Sequence, residues 1–423
     1  MKYLIYQLKN NEKFALYLIV VFTLILKSVY VFATYYYIGT KEWGDDSFYL
    51  SLGEHIASGN WTDQPNGEAY LNVAPVIPFL IALFVRLFKD PIIPFYVYSL
   101  LATVLLIPVL FYLGKEMFNT KIGWLLALWG GVNLEFIKYI PHLLKEPTLY
   151  LLIPLTILLL IKFVKSKNQI YYLILSAISF TLLMHTDERY FFYFPFFTLI
   201  FLLKRPILLQ KRFRSMVIWV GLVFLLMLPW GIRNYIVFGQ VVIISSRTTS
   251  YTSKIWGKDI SGFDYIKKNE GSVPISEIVL NDRDKLLENQ IKKSNELSGL
   301  GLYFKTFINI WQPCFFKAKY VKYCWWEKAR LQKWSFRHNF ISLAFYGVFL
   351  PFYVIGLILL SIKFNPLGLF IGSIPILHSL LHSYMVMPEE RYRYPIVFIV
   401  VMIGSWTVTK LYENVKNIMV KEI

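Results

Sequence analysis

Apolar residues recur along the chain in long blocks, and short basic or Pro/Gly-containing breaks separate one block from the next. A membrane-spanning α-helix needs roughly 20 consecutive apolar residues, and helices are the elements that cross a bilayer in this pattern. The sequence therefore predicts an all-α polytopic membrane protein. The first block, residues 14–38, is too long for the apolar core of a signal peptide and is followed by no small-residue cleavage site. We expect it to be a retained helix.

The apolar pattern predicts ten crossings if residues 73–88, a short Pro-containing block, do not cross the membrane. The crossings cover residues 14–38, 91–114, 122–140, 147–161, 170–186, 190–203, 216–232, 340–360, 367–385 and 394–411. Basic loops favour the cytoplasm, so Lys2, Lys9 and Lys13 place the N-terminus there. The ten-helix arrangement also puts the basic loop 204–214 inside, whereas a crossing at 73–88 alone would invert it.

This topology divides the chain into three parts. Residues 1–232 form an N-terminal transmembrane module with an outer loop at 39–73, residues 233–339 form an extracytoplasmic segment, and residues 340–423 form the C-terminal transmembrane helices. The outer loop has weak helical character around 48–57. In the extracytoplasmic segment we expect a helix near 282–297 and an amphipathic stretch at 304–334 that lies on the membrane surface.

Composition supports the membrane assignment and changes how the charge is interpreted. The chain is 56% hydrophobic, above the roughly 45–50% of soluble domains, and its mean hydropathy is +0.50. The net charge of +18 is expected in cytoplasmic loops that face lipid headgroups, not in a nucleic-acid site. Cys314 and Cys324 are the only cysteines, which excludes a cysteine-rich metal site and leaves their pairing open.

Ionisable residues gather at the helix ends that this topology places outside. The groups are Asp45 with Asp46, Lys145 with Glu146, residues 185–189, Arg233, and residues 389–393. A charge near a helix end is tolerated when it reaches water or another charge, so convergence on one face indicates an outward-facing aqueous pocket. The alternative is ordinary loop charges, with local ion pairing at the tight turn around residues 187–189.

Carboxylates and arginines in one pocket suit two kinds of chemistry. A carboxylate can take the proton of a hydroxyl nucleophile, and arginines bind phosphate oxygens, so the set fits a reaction in which a lipid-linked phosphate leaves. Carboxylates also relay protons in cation-coupled transporters, but those sites lie near the bilayer midplane, not at one end. His378 and His382 have the spacing of a metal pair, although packing or hydrogen bonding is the favoured interpretation.

Several motifs resemble GT-C glycosyltransferases, the superfamily that includes protein O-mannosyltransferases and bacterial lipid A aminoarabinose transferases (glycosyltransferase family 39). The motifs, in chain order, are Trp43-Gly44-Asp45-Asp46-Ser47-Phe48-Tyr49, the segment from Pro75 to Pro78, Pro229-Trp230-Gly231-Ile232-Arg233-Asn234, and Arg391-Tyr392-Arg393-Tyr394-Pro395. Each motif alone is weak, but their order and spacing are specific.

The resemblance implies a GT-C-type bundle of about 10–13 transmembrane helices, with an extracytoplasmic first loop and one larger soluble segment outside. It implies a multi-pass cell-membrane enzyme that moves a sugar from a polyprenyl-phosphate donor to an acceptor hydroxyl on a lipid, glycan or protein. The reaction would occur at the outer face with inversion. A transporter or flippase of lipid-linked saccharides is the alternative.

The resemblance also assigns roles to residues. Asp45 and Asp46 are the expected catalytic residues: Asp45 matches the base, and Asp46, which stands where a Glu is usual, is expected to assist it. Glu146 matches a second outer-loop acid. Residues expected to bind donor phosphate or substrate are Glu146, Lys145, Arg189, Arg233, Arg391, Tyr392 and Arg393. No cofactor is certain. A divalent metal ion remains open, with Asp45 and Glu146 as its first candidate ligands.

Overall fold

The computed structural model describes residues 11–38, 45–63, 73–166, 169–203, 208–239, 242–245, 307, 310–311, 343–385 and 392–421. These ranges are 86% helical and contain no β-strand. The predicted fold class, an all-α polytopic membrane protein, is confirmed. Arg391, both cysteines, the helix expected near 282–297 and nearly all of the stretch at 304–334 lie outside the described residues.

The first half of the chain forms a series of helices joined by short turns. They are α1 (Glu12–Ile38), α2 (Asp45–Ala57), α3 (Val76–Phe88), α4 (Ile92–Met117), α5 (Thr120–Val132), α6 (Leu134–Lys138), α7 (Glu146–Lys165) and α8 (Ile170–Thr186). The weakly helical region expected in the first loop is therefore the regular helix α2. Its first two residues are Asp45 and Asp46.

The second half begins with short irregular helices and continues with long ones. They are a 3-10 helix (Glu188–Tyr193), α9 (Phe194–Thr198), a second 3-10 helix (Leu199–Leu203), α10 (Leu209–Phe238), a π-helix (Leu343–Gly347), α11 (Phe349–Ile362), α12 (Pro366–Met385) and α13 (Val397–Lys421).

Six helices of the described residues are long and apolar enough to cross a membrane, judged by length and composition. They are Glu12–Tyr36, Ile92–Met117, Glu146–Lys165, Leu209–Val237, Leu343–Ile362 and Pro366–Ser383. Val76–Phe88 and Ile170–Thr186 are shorter apolar helices. The 13 residues of α3 extend only about 20 Å, less than the roughly 30 Å of a hydrocarbon core. α3 is therefore too short to cross the membrane by itself, which favours the ten-crossing arrangement. That arrangement stays a prediction.

Two predicted helices are interrupted, each for a local reason. The helix expected at 122–140 ends at Val132, because the side chain of Asn133 accepts a hydrogen bond from the backbone N–H of Glu135 and caps a new helix. The helix expected at 190–203 is replaced by short 3-10 and α segments. Pro195, at the start of α9, has no backbone N–H to continue a helical ladder, so it begins a new segment.

The core is built around α7, which is largely buried and packs against α4 and α8. α1 lies at the perimeter and exposes apolar side chains, as expected of a helix that faces lipid. Its one buried cation, Lys27, is completely enclosed and donates a 2.9 Å hydrogen bond from Nζ to the carbonyl oxygen of Thr103 on α4. This bond joins the first helix to the interior of the bundle.

α4 and α5 approach so closely that their backbones touch. A Cβ atom added at Gly114 would lie 2.9 Å from both the Cα and the N of Gly123. Backbone atoms cannot rotate away, so these two glycines are required by the helix crossing. Small residues serve this purpose at many helix contacts in membranes.

We predict that Gly114→Ala destabilises the protein by about 1–3 kcal/mol, the usual cost of overpacking. Gly221→Ala on α10 is the matched control, because nothing lies within 4 Å of a Cβ at that position. Thermal unfolding of both variants in detergent measures the difference. Equal melting temperatures for the two variants would contradict the close crossing.

Candidate functional site

A buried carboxylate, Asp187, binds two cations at one end of the helix bundle. It directly follows α8, and its Oδ1 accepts hydrogen bonds from the backbone N of Arg189 at 3.1 Å and from Nε of Arg189 at 2.8 Å. Its Oδ2 accepts from Nη2 of Arg189 and lies 3.1 Å from Nζ of Lys145, the residue that precedes α7. Lys145, Asp187 and Arg189 together are called the Asp187 cluster below.

The opposite charges in the Asp187 cluster keep Asp187 and Lys145 ionised in spite of their burial. Burial alone would raise the pKa of Asp187, but the neighbouring Arg189 and Lys145 outweigh it and hold that pKa well below its usual range. Burial alone would lower the pKa of Lys145, but Asp187, Tyr49 and Glu188 outweigh it, so the pKa is raised above its usual range. Asp187 therefore stabilises the fold above its unfolded-state pKa of about 3.9, and this contribution is lost only in strong acid.

The loop before α13 is held against Arg189 by an aromatic and histidine network. The ring of Tyr392 lies 4.4 Å from Cζ of Arg189, which is a cation–π contact. Nε2 of His378 donates to the carbonyl oxygen of Tyr392 at 2.6 Å, and Nδ1 of His378 accepts from the hydroxyl of Tyr193, also at 2.6 Å. His382 stacks on His378 with ring centroids 3.8 Å apart. Both histidines thus have the packing and hydrogen-bonding role that was favoured over metal binding.

The two acidic residues that begin α2 occupy different environments. Consecutive residues on a helix point about 100° apart, so the two side chains leave α2 in different directions. Asp45 is exposed, whereas Asp46 is 5% exposed, and its Oδ2 lies 2.8 Å from Nδ1 of His142. Within the described residues, Oδ1 of Asp46 has no hydrogen-bond partner. The Asp46–His142 pair joins residues that are 96 positions apart in the sequence.

One short segment links this pair to the Asp187 cluster. Residues 139–145 form turns and bends between α6 and α7, and this connecting segment carries both His142 and Lys145. Tyr49, three residues after Asp46 on α2, lies close enough to Lys145 to raise the pKa of that lysine. The Asp46–His142 pair and the Asp187 cluster are therefore neighbours at the same end of the bundle.

Two of the expected phosphate-binding arginines, Arg233 and Arg393, bind protein groups. Arg233 donates to the carbonyl oxygen of Trp61 and, at 2.7 Å, to Oδ1 of Asn234, and its Cζ lies 4.6 Å from the ring of Trp230. It thereby connects the end of α10 to the chain after α2.

Arg393 is completely buried. Its Nη2 lies 3.1 Å from Oε1 of Glu135 and its Nη1 donates to the carbonyl oxygen of Ile310 at 3.1 Å, while the Tyr346 ring lies 4.2 Å from its Cζ. The structure thus brings Lys145, Arg189 and Tyr392 together and keeps Arg393 in a separate ion pair with Glu135.

The described residues do not assemble a metal site by themselves. Among them, no group of three or more His, Cys, Asp or Glu side chains is placed to hold an ion. Glu146, the first residue of α7, and Glu188 are both buried beside the Asp187 cluster, so three carboxylates accompany two cations there. A phosphate dianion bound at this place would need further positive charge, from Arg391 or from a divalent ion.

Sequence reasoning missed His142 and Glu135, and the reason is the same for both. In the sequence each stands closer to a lysine than to its structural partner, with Lys145 three residues after His142 and Lys138 three residues after Glu135. Their partners, Asp46 and Arg393, lie 96 and 258 positions away. Only the fold reveals the two pairs.

Comparison with known proteins supports the GT-C resemblance. Residues 72–232 match the family model described as dolichyl-phosphate-mannose-protein mannosyltransferase. A search of curated protein sequences finds no match. The family match lies within the N-terminal module and includes the connecting segment and the Asp187 cluster.

The fold is similar to that of an oligosaccharyltransferase from Archaeoglobus fulgidus. The apo form aligns with a TM-score of 0.54 at 12% identity, over 96% of this chain and 52% of that one. The form tethered to an acceptor peptide gives 0.55 at 13% identity, over 95% and 50% of the two chains. A complex with an inhibitory peptide and a dolichol-phosphate gives 0.50 at 12% identity, over 96% and 52%. The chain spans about half the length of these proteins. The family match and the fold together confirm the predicted resemblance to GT-C enzymes.

Asp187→Asn should destabilise the protein by about 3–5 kcal/mol, because it leaves the buried Arg189 and the largely shielded Lys145 without their shared counterion. The control is Glu116→Gln, which removes a partly exposed carboxylate 4.0 Å from Lys165 and should change stability little. Thermal unfolding in detergent at pH 7 measures both. If the Asp187→Asn variant melts at the same temperature as the control, the cluster does not stabilise the fold.

Proposed function

We propose that the chain is a membrane glycosyltransferase that moves a sugar from a polyprenyl-phosphate donor to an acceptor hydroxyl. The observation that carries the proposal is the position of the carboxylates of α2 beside the Asp187 cluster at one end of a GT-C-type helix bundle. The family match over residues 72–232 supports it. The Archaeoglobus fulgidus oligosaccharyltransferase, which has been described with a dolichol-phosphate and with an acceptor peptide, supports the same kinds of donor and acceptor.

The leaving group explains the demand for cations. When the bond between the anomeric carbon and the phosphate oxygen breaks, the lipid phosphate gains negative charge, which fixed donors can stabilise. The guanidinium of Arg189 already donates twice to Asp187, whereas Lys145 has a side chain that is 15% exposed. In this scheme Lys145 contacts the donor phosphate, and Arg189 and Asp187 hold Lys145 and Tyr392 in position. Arg391 is the further cation that the sequence places nearby.

The nucleophile is an acceptor hydroxyl that must lose its proton as it attacks. α2 presents one exposed carboxylate, Asp45, and one buried carboxylate, Asp46, at its first turn. The resemblance assigns to Asp45 the role of the base that accepts this proton. Direct attack on the side opposite the leaving phosphate inverts the anomeric centre, and no covalent sugar–enzyme intermediate is involved.

The acceptor side of the reaction is proposed to be the outer face of the cell membrane. The positive-inside pattern puts the ends that carry α2, Lys145 and Arg189 outside, with the basic loop 204–214 in the cytoplasm. The acceptor is a lipid, glycan or protein that reaches this face. Surrounding membrane lipids are the remaining partners, and the positive charge needs no nucleic acid to explain it.

Purified protein mixed with radiolabelled polyprenyl-phosphate sugars and candidate acceptors should release free polyprenyl phosphate and form a glycosylated product. Chromatography of the lipid and acceptor fractions measures both products. The control is the same protein with donor alone, which should release little sugar. Movement of intact donor across liposomes, without any transfer, would instead identify a flippase and contradict the proposed function.

Lys145→Gln should raise the KM for the donor by roughly tenfold or more, because a charge-assisted hydrogen bond to phosphate is worth about 1.5–3 kcal/mol. Lys165→Gln is the matched control, since Lys165 lies at the other end of the same helix, α7. Steady-state kinetics with varied donor at saturating acceptor separates the two. An unchanged donor KM in Lys145→Gln would remove Lys145 from the phosphate site.

A further inference from the structure

The Asp46–His142 pair has the geometry of a carboxylate that orients an imidazole. The Asp46 carboxylate only accepts hydrogen bonds when ionised, so Nδ1 of His142, at 2.8 Å from Oδ2, must carry the hydrogen. In the neutral imidazole the other nitrogen, Nε2, then has its lone pair free to accept a proton. The tautomer follows from the partner that the structure places beside Nδ1.

Exposure divides the pair into a shielded part and an accessible part. The side chain of Asp46 is 7% exposed and that of His142 is 28% exposed. Asp46 is in the first turn of α2, where the helix dipole favours a negative charge. The carboxylate is therefore suited to stabilise an imidazolium, and the imidazole is the member that a substrate can reach.

The position of His142 relative to Lys145 suits a displacement reaction. The connecting segment carries both residues, three positions apart, and Lys145 is fixed by its ion pair with Asp187. A base for the incoming hydroxyl and a cation for the leaving phosphate must flank the same anomeric carbon. The short segment limits how far apart the two side chains can lie, and the contacts to Asp46 and Asp187 fix each of them.

We propose that His142 is the general base of the transfer and that Asp46 is its positioning residue. This inference rests on the proposed function and adds a catalytic residue to it. Imidazoles are in general stronger bases than carboxylates near neutral pH, which suits proton removal from a hydroxyl. Asp45, exposed beside the pair, then orients the acceptor and does not take its proton.

The acceptor oxygen forms a bond to the anomeric carbon while the bond from that carbon to the phosphate oxygen breaks. The bonding pair leaves with the polyprenyl phosphate, and the acceptor proton moves to Nε2 of His142. The resulting imidazolium is paired with Asp46 and releases its proton to water before the next turnover.

His142→Asn tests the base, because the amide can still donate to Asp46 from the position of Nδ1 but offers no basic nitrogen. We expect kcat to fall about 100-fold or more, the usual contribution of a general base, with the donor KM nearly unchanged. Added imidazole should restore part of the turnover of His142→Ala. Thermal unfolding of both variants checks that they are folded.

His55→Asn is the matched control on the same helix. Nε2 of His55 lies 3.0 Å from Oδ1 of Asp63, so His55 belongs to a second histidine–aspartate pair near the other end of α2, with an imidazole that is 19% exposed and a carboxylate that is 45% exposed. This variant should keep wild-type turnover. Asp46→Asn should lower kcat with little change in donor KM, and the Asp46→Asn/His142→Asn double variant should be no slower than His142→Asn alone.

Two results would overturn the role of His142. One is a turnover by His142→Asn within threefold of wild type, on the order of 0.7 kcal/mol. The other is a failure of imidazole to raise the turnover of His142→Ala while Asp45→Asn loses 100-fold or more, which would return the proton to Asp45. Wild-type protein that releases no polyprenyl phosphate at all would contradict the proposed function itself, so the two failures are distinguishable.

Discussion

The site depends on the burial of one carboxylate between two cations. Asp187 lies at the junction of α8 and the following 3-10 helix, and it holds Lys145 at the start of α7 and Arg189 at the same time. A buried charge is tolerated only when it is paired, so these segments must meet for any of the three residues to be inside. Through the ring of Tyr392 on Arg189, the same constraint fixes the chain that enters α13.

The connecting segment links the Asp187 cluster to the Asp46–His142 pair. It is too irregular to be defined by helical hydrogen bonds, so its shape comes from what it binds at each end. Lys145 is bound to Asp187 and His142 is bound to Asp46, which attaches α2 to the transmembrane core. α2, which lies in the first loop, is thereby joined to the start of α7 and, through Asp187, to the end of α8.

Sequence reasoning recovered what depends on local pattern and missed what depends on distant contact. Apolar length located α1, α4 and α7, and the GT-C resemblance identified Asp45 and Asp46 as a pair of interest. It treated Asp46 as the assistant of Asp45. In the structure the two residues differ in burial, because Asp46 is buried against the bundle whereas Asp45 is exposed.

The distant contacts had no signal in the sequence. His142 is a single histidine whose partner lies 96 residues earlier. Arg233 and Arg393 were interpreted as candidate phosphate ligands because they are charged. The sequence does not indicate their partners, the carbonyl oxygen of Trp61 and the carboxylate of Glu135. The side chains of Asn133 and Pro195 broke helices that apolar length alone would have continued.

Lys27 has a consequence for how the chain is built into the membrane. Near the middle of α1, a lysine costs about 2.5–3.5 kcal/mol on insertion scales, and the carbonyl oxygen that accepts from its Nζ belongs to Thr103, 76 residues later. During synthesis α1 enters the bilayer before that acceptor exists. Lys27 therefore gains its compensating hydrogen bond only when α4 packs against α1, which couples the stable insertion of the first helix to the packing of the bundle.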